Sequence, residues 1–495
     1  MHRLKKEDPP LKSAFFHFIF PFSLKNECLD RLVDYLKSIG YQFFDLEDKA
    51  QENAYYGGEN KVSHKNLKHY FLPFTSDVLF PKTEDPITFR RYSKRVDINA
   101  ELQSGQVKAP FKIHSIDVFL LPFELGFITI RTELNQVSYS EAIEFAARFR
   151  VLENRSREDR EAVITHEGQP YKQVENFLFS ALLPGFTSYL NVEKVNGAYF
   201  ESLPFFIDER MYVQGLFQFQ SGAEFEETDL FRGSQLDGVD EQGRPHMSAS
   251  SRDFIHEYCL QNSHTRWAPH TYFLVDEHVF CCLTSEEDGQ AAKIIDQMYG
   301  EYYYGLLLNL FHKIVLLQLS NEYAHVHLER DNKKTQKLIG EITMFSAKYF
   351  FLELATQSQG REIFILLKKT FKNQDLYEDV KQTLSTLYQY QGEKSSKRNN
   401  YLISILTIYT VITGIYGMNQ VIEELKGPIK WKAFQKFGFF EYIALFVTVS
   451  GITVSILLGI SFLTKWIREK RNMNGIEERK KNPKSDRHLT VSSKL

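Results

Sequence analysis

The chain has 495 residues, and its 60 lysines and arginines nearly balance its 63 aspartates and glutamates, giving a formal net charge of −3. This length allows two or three domains, each with a sizeable core. The charge balance argues against a nucleic-acid binder that depends on global positive charge. Four cysteines without C-x-x-C spacing argue against a disulfide framework or a zinc knuckle. The bulk of the chain is therefore expected in the cytoplasm.

Residues 1–295 mix strand and helix signals and predict an α/β or α+β cytosolic domain. The segment Phe111–Leu134 has the pattern of two strands, with a break between Pro122 and Gly126 that is typical of a β-hairpin. Ser138 and Glu141 then have the spacing of a capping box and predict the start of a helix. Two further strand candidates are residues 210–219 and 270–285. A loop rich in Gly, Ser and Asp lies between them at residues 232–251.

Residues 296–400 have a helical pattern throughout and predict a helical stalk. The run Tyr302–Leu319 is apolar, but Asn309, His312 and Lys313 fall at its centre. Because a charge in the middle of a bilayer costs several kcal/mol, we expect a long amphipathic cytosolic helix here.

The end of the chain contains two runs without a charged residue, residues 401–422 and 442–464. About twenty apolar residues cross a bilayer core, so we expect a hairpin of two transmembrane helices. Lys and Arg are more frequent beside the outer ends of these runs than in the loop 423–441. This bias predicts an external loop, a basic cytosolic tail at residues 465–495, and an inner-membrane protein with both termini in the cytoplasm.

The helix that enters the first of these runs has no proline between Asp375 and Asn419, so we expect it to be unbroken. Such a rod could carry a movement of the first domain mechanically. Within the run, one helical face carries Thr407, Thr410, Gly414 and Gly417. Small and hydroxyl-bearing residues on one face are typical of tight helix packing or of a pore wall, and the spacing alone leaves both interpretations open.

The first run ends in Tyr-Gly-Met-Asn, and the stretch Leu387–Asn419 resembles the CorA-type magnesium channel family. The resemblance extends over residues 296–470. It implies a homopentamer, with the first transmembrane helix lining a central pore. It also implies that Gly417, Met418 and Asn419 lie at the outer mouth and bind a hydrated divalent cation, Mg²⁺ foremost, with no resident cofactor.

Two threonines complete the cation site that the resemblance implies. Thr410 stands where the family has a pore threonine, and Thr407 lies one turn earlier on the same face. Ile408, however, replaces the proline that is usual in the family. The external loop carries four lysines, which would repel the cations that it should concentrate.

Two functions are therefore carried forward, and neither is enzymatic. The first is a CorA-like channel or transporter that passes divalent cations and is gated by its cytosolic domain, with the lipid bilayer and other copies of the chain as partners. The alternative is a signal-gated membrane effector of a bacterial, CRISPR-associated defence system, activated by a nucleotide messenger that binds the cytosolic domain. No nucleic-acid partner is expected.

Two basic clusters could hold a phosphate-bearing ligand or could be solvated faces paired with nearby carboxylates. Their members are Arg90, Arg91, Lys94 and Arg95, and then Arg148, Arg150, Arg155, Arg157 and Arg160. No spacing typical of a catalytic metal site, a Walker loop or a nucleophile elbow occurs.

Overall fold

The structure is a computed structural model of the chain. It describes residues 8–25, 28–58, 60–153, 161–191, 210–266, 268–326, 332–351, 354 and 358–418, together with scattered positions between 438 and 464. Residue contacts divide the chain into two units, residues 1–384 and 385–495.

Eleven strands in the described part of the chain form one sheet, which belongs to the first unit. The strands are β1 (Leu11–Ser23), β2 (Gln42–Phe43), β3 (Arg90–Ser104), β4 (Val107–Leu121), β5 (Leu125–Asn135), β6 (Val163–His166), β7 (Gln169–Tyr171), β8 (Tyr212–Phe219), β9 (Ser263–His264), β10 (Thr271–Val275) and β11 (Val279–Thr284).

The helices of the described residues are α1 (Leu29–Ser38), α2 (His64–Tyr70), α3 (Pro73–Leu79), α4 (Tyr139–Phe149), α5 (Val174–Asn176), α6 (Glu227–Gln235), α7 (Arg252–Asn262), α8 (Asp288–Tyr299), α9 (Glu301–His325), α10 (Asn332–Lys348), α11 (Ser358–Thr370) and α12 (Asn373–Met418). A π-helical stretch, Phe177–Leu182, continues directly from α5.

The sheet has the strand order β7-β6-β3-β4-β5-β1-β8-β11-β10-β9, and β2 adds to β3 beside this path. All neighbouring strands are antiparallel except β8 and β11, which are parallel. The predicted hairpin is confirmed as β4 and β5, with Val118 paired to Ile128. The predicted capping box is confirmed as well, because Ser138 and Glu141 exchange side-chain and backbone hydrogen bonds at the start of α4.

The two faces of the sheet are covered differently. Successive side chains of a strand point to opposite faces, and on one face Phe16 and Phe18 of β1 pack against Phe145 of α4 with ring centroids 5.9 and 5.8 Å apart. The other face is covered by α9, where Tyr303 donates a 2.8 Å hydrogen bond to Thr129 of β5. The first face is therefore an aromatic core, whereas the second carries the polar residues described below.

Helix α9 is the central helix of the first unit. Its first three turns are buried on all sides, so the amphipathic pattern predicted for this helix is wrong there, and Asn309 and His312 lie inside the protein. The Asn373 amide donates to the Asn309 carbonyl and side-chain oxygens at 3.1 and 3.0 Å. This contact fixes the first residue of α12 to α9. Helix α12 then runs without a break to Met418, as its lack of proline predicted.

The membrane assignment is corrected by the structure. Among the described residues, no helix is long and apolar enough to cross a membrane. The predicted transmembrane hairpin of residues 401–422 and 442–464, the inner-membrane location and the description of the chain as a transmembrane channel were therefore wrong. The prediction needed two apolar helices of about twenty residues each, whereas the first run is described only over residues 401–418, where α12 ends at Met418.

Most of the second run, the loop 423–437 and the tail 465–495 lie outside the described residues.

Candidate functional site

The predicted cation-site residues lie at the end of α12. The hydroxyl groups of Thr407 and Thr410 each donate to the carbonyl oxygen four residues earlier, at 2.8 Å. Gly417 and Met418 form the last residues of the helix, and Asn419 lies outside the described residues. In the part of the chain that the structure describes, no group of three or more His, Cys, Asp or Glu side chains could hold a metal ion. The Thr-Gly-Met-Asn cation site stays a prediction.

The basic clusters do not assemble into surface phosphate sites where the structure describes them. Arg91 is fully buried and forms an ion pair with Asp117, whereas Arg95 is paired with the neighbouring Asp97. In the second cluster Arg148 is paired with Glu144, one helical turn before it. The last three arginines of this cluster, Arg155, Arg157 and Arg160, lie outside the described residues.

A row of buried polar side chains crosses the α9 face of the sheet. We call it the polar belt, and its members are His17, Arg91, Ser93, Ser115, Asp117, Thr129, Arg131 and Gln214. The strand register brings them together, because Arg131 is paired with both His17 and Ser115 across the neighbouring strands, and His17 is paired in turn with Gln214.

The charges of the polar belt are centred on one carboxylate. Asp117 Oδ2 lies 3.1 Å from Arg91 Nε and 2.6 Å from Arg131 Nη1, and Ser93 donates to its Oδ1 at 2.7 Å. Burial alone would lower the pKa of Arg91, but the Asp117 carboxylate raises it above its usual value. Burial, together with Arg131, lowers the pKa of His17 well below its usual value. The belt therefore contains two cations, one anion and a neutral imidazole.

The polar belt joins the sheet to α9. Arg91 Nη1 donates to the Tyr304 hydroxyl at 2.8 Å, and the Arg131 guanidinium lies 5.2 Å from the centre of the Tyr303 ring. A buried cation that is paired and hydrogen-bonded avoids the large cost of desolvation. Because both partners on α9 are part of the core, we interpret the belt as a structural connection between sheet and helix.

A cavity of about 650 Å³ lies between α6, α7 and the turn that follows β10. Helix α6 contributes Phe231 and Gln235, and α7 contributes Phe254 and Tyr258; each pair is four residues apart, which places it on one helical face. The strand β10 ends at the cavity, and Asp276 follows it. The segment 248–251 forms the remaining wall. The volume is in the usual range for small-molecule sites.

The polar end of this cavity is a hydrogen-bonded triad. Tyr258 Oη donates to Asp276 Oδ2 at 2.9 Å and accepts from Gln235 Nε2 at 2.8 Å. Gln235 Nε2 also lies 3.1 Å from the same carboxylate oxygen. Burial and then the Asp276 charge raise the pKa of Tyr258 well above its usual value, so the hydroxyl remains protonated. The triad therefore holds Asp276 in a fixed orientation.

Three aromatic rings form the apolar walls. The ring of Phe231 is 5.1 Å from that of Tyr258 and 6.1 Å from that of Phe254, at interplanar angles of 79° and 77°. Phe254 and Tyr258 are tilted by 31° with centroids 6.4 Å apart. Phe254 is 55% exposed although it is a large apolar residue. Such an arrangement can bind a flat ring or a cation against ring faces.

The sequence pattern does not predict this pocket, because residues 232–251 have only the composition of a loop. Two signals were present. Phe231 with Gln235, at the start of that segment, and Phe254 with Tyr258, after it, repeat an aromatic residue and a hydrogen-bonding residue at one-turn spacing. Asp276 could not be included, since only the sheet brings it to the two helices.

In comparisons with known proteins, no family model and no curated protein matches the chain. The likeness to the CorA-type family therefore still depends only on the sequence resemblance over residues 296–470, which is strongest at Leu387–Asn419.

Proposed function

We propose that this protein is a ligand-controlled switch without a catalytic step. In this proposal the cavity of the first unit binds a small molecule, and α12 transmits binding to an association between copies of the chain. The observation that carries the proposal is the triad of Gln235, Tyr258 and Asp276, which occupies one end of an aromatic-walled cavity of about 650 Å³.

The composition of the cavity favours a ligand-binding role. Pockets for small molecules are mostly apolar and have a few convergent polar groups that fix the ligand. Here Phe231, Phe254 and Tyr258 provide the apolar surface, while the polar groups converge on Asp276. No Lys or Arg is among the described residues that line it. A nucleotide, as in the alternative function, would therefore place its base against the rings and keep its phosphates outside.

A short series of contacts connects the cavity with the start of α12. Tyr212 Oη donates to the backbone carbonyl of Asp276 at 3.0 Å. The Tyr212 ring packs edge-on against Phe371, with centroids 5.6 Å apart. Phe371 lies two residues before Asn373, the first residue of α12, which is itself bound to Asn309. A movement of the Asp276 turn can therefore reach α12 through two side-chain contacts.

The far part of α12 supports self-association. Leu402, Ile403, Ile405 and Leu406 are exposed on this helix, with exposed fractions from 44% to 64%. Contiguous exposed apolar surface of this kind is typical of an interaction site. A second copy of the same helix would offer a matching surface, so we propose a homo-oligomer; the pentamer that the CorA resemblance implies is one such assembly.

The proposal is tested by measuring the mass of the full-length protein by light scattering, with and without probes. The probes are adenosine and guanosine 5′-monophosphate and, separately, choline. We expect at least one probe to change the mass, and Phe254→Ala to abolish the change. Phe74→Ala is the matched control, because Phe74 is 54% exposed and does not line the cavity. A mass that none of the probes changes contradicts the proposal.

A further inference from the structure

We propose that the cavity between α6, α7 and Asp276 is selective for an organic cation, so that the part of the ligand that enters it carries an ammonium-type charge. This inference depends on the proposed function only in taking the cavity as the ligand site. Beyond the proposed function, it specifies that the ligand carries a positive charge and that Asp276 selects this charge.

The polar end of the cavity offers hydrogen-bond acceptors. Both bonds of the triad to Asp276 go to Oδ2, and within the described part of the chain no donor is bonded to Oδ1. Gln235 uses its amide nitrogen toward Tyr258 and Asp276, which leaves its carbonyl oxygen as a second acceptor. A ligand that fits this end must therefore donate hydrogen bonds or carry a positive charge.

The aromatic walls favour a charged ligand over a neutral donor. Phe231 is nearly perpendicular to both Phe254 and Tyr258, so the wall of the cavity presents aromatic rings in different orientations. Ring faces carry negative potential and attract a cation that is placed over them. Cages of aromatic rings are a known way to bind quaternary ammonium groups.

The charges of the residues that line the cavity also favour a positively charged ligand. Asp276 is the sole charged residue among the described residues that line the cavity. Arg150 and Arg210 act electrostatically on His278, two residues after Asp276, but neither arginine lines the cavity. A cation would neutralise Asp276 where it is partly removed from water, whereas a phosphate would meet a like charge.

The test compares choline with 3,3-dimethylbutan-1-ol, which has the same shape but no charge. Binding to the full-length protein is measured by calorimetry. We expect saturable binding of choline in the millimolar range and binding of the neutral alcohol that is at least about ten-fold weaker. Asp276→Asn should weaken choline about ten-fold and leave the alcohol unchanged. Glu277→Gln is the matched control, because this exposed neighbour does not line the cavity.

Three results would overturn the inference: equal affinity for choline and the alcohol, no saturable choline binding up to about 50 mM, or a larger loss in Glu277→Gln than in Asp276→Asn. The inference and the proposed function fail separately. If choline binds selectively but the mass of the oligomer does not change, only the proposed ligand-controlled switch is contradicted. A mass change that responds equally to the charged and neutral probes contradicts only the cation selectivity.

Discussion

Glu301, the first residue of α9, lies beside Asp296 of α8, and the pKa of the Glu301 carboxyl is raised to about 7, first by burial and then by repulsion from Asp296. Asp296 accepts a 3.0 Å hydrogen bond from the Ser63 backbone N–H. Below about pH 7 a proton therefore remains on Glu301 at the junction of the two helices.

This relationship predicts a stability that falls as pH rises. Below pH 4.5 the carboxyl is protonated in both states, so Glu301 has no pH-dependent effect. Between pH 4.5 and about 7 the unfolded chain loses this proton while the folded protein keeps it, and the free energy of unfolding falls by at most about 3 kcal/mol. Glu301→Gln should remove this decrease. In urea titrations the difference between variant and parent should grow from pH 4.5 to 7 and then stay constant.

Glu257→Gln is the control for this experiment, because Glu257 is an exposed carboxylate on α7. It should follow the parent at every pH. Parallel curves for Glu301→Gln and the parent would show that Glu301 titrates normally, contrary to the prediction.

The polar belt gives a second prediction. Asp117→Asn leaves Arg91 and Arg131 buried without their carboxylate, and we expect a loss of about 3–5 kcal/mol in the free energy of unfolding. A milder variant, Ser93→Ala, removes the donor to Asp117 Oδ1 and an acceptor of Arg91 Nε, and should cost about 1–3 kcal/mol. Urea unfolding measures both.

Ser38→Ala is the matched control for the belt, because the Ser38 hydroxyl bonds to a backbone carbonyl at an exposed position. It should change stability by less than about 0.5 kcal/mol. If Ser93→Ala is no more destabilising than Ser38→Ala, the belt does not contribute as a connected network.

Local patterns predicted the parts of the fold that local forces determine. The hairpin break between Pro122 and Gly126 and the capping box at Ser138 depend on residues within a few positions of each other, and both are present. The polar belt is different, because Arg91 looked like part of a basic surface cluster. Its burial depends on Asp117, which only strand pairing brings beside it.

The same limit applies to the candidate pocket and to α12. The sequence indicates the one-turn pairs on α6 and α7, but the position of Asp276 depends on β10 and its neighbours in the sheet. For α12, lack of proline predicted the unbroken helix correctly. Lack of charge was a poorer guide, because it predicted a membrane-spanning helix, and no helix of the described residues is long and apolar enough to cross a membrane.

The contacts between the cavity and α12 give a third prediction. Phe371→Leu keeps an apolar side chain but removes the edge-on ring contact with Tyr212. If this contact transmits binding, the variant should still bind choline, within about three-fold of the parent, and should lose most of the probe-dependent change in mass. Calorimetry and light scattering on the same samples separate the two effects.

Phe74→Leu makes the same chemical change at an exposed phenylalanine that does not line the cavity and should retain the full response. A normal mass change in Phe371→Leu would show that the signal takes another route.

The exposed apolar part of α12 gives the last prediction. Leu402 and Leu406 are one helical turn apart, so they share a face, and they are 59% and 64% exposed. Replacing both with Glu places two charges where a second copy is expected to pack, and an uncompensated charge in an interface costs several kcal/mol. In light scattering the double variant should therefore shift to a smaller mass than the parent at equal concentration. Asn399→Glu adds a charge at an exposed polar position of the same helix and should leave the mass unchanged. An unchanged mass in the double variant would exclude this face of α12 as the association surface, whereas an equal shift in Asn399→Glu would attribute the effect to net charge instead of packing.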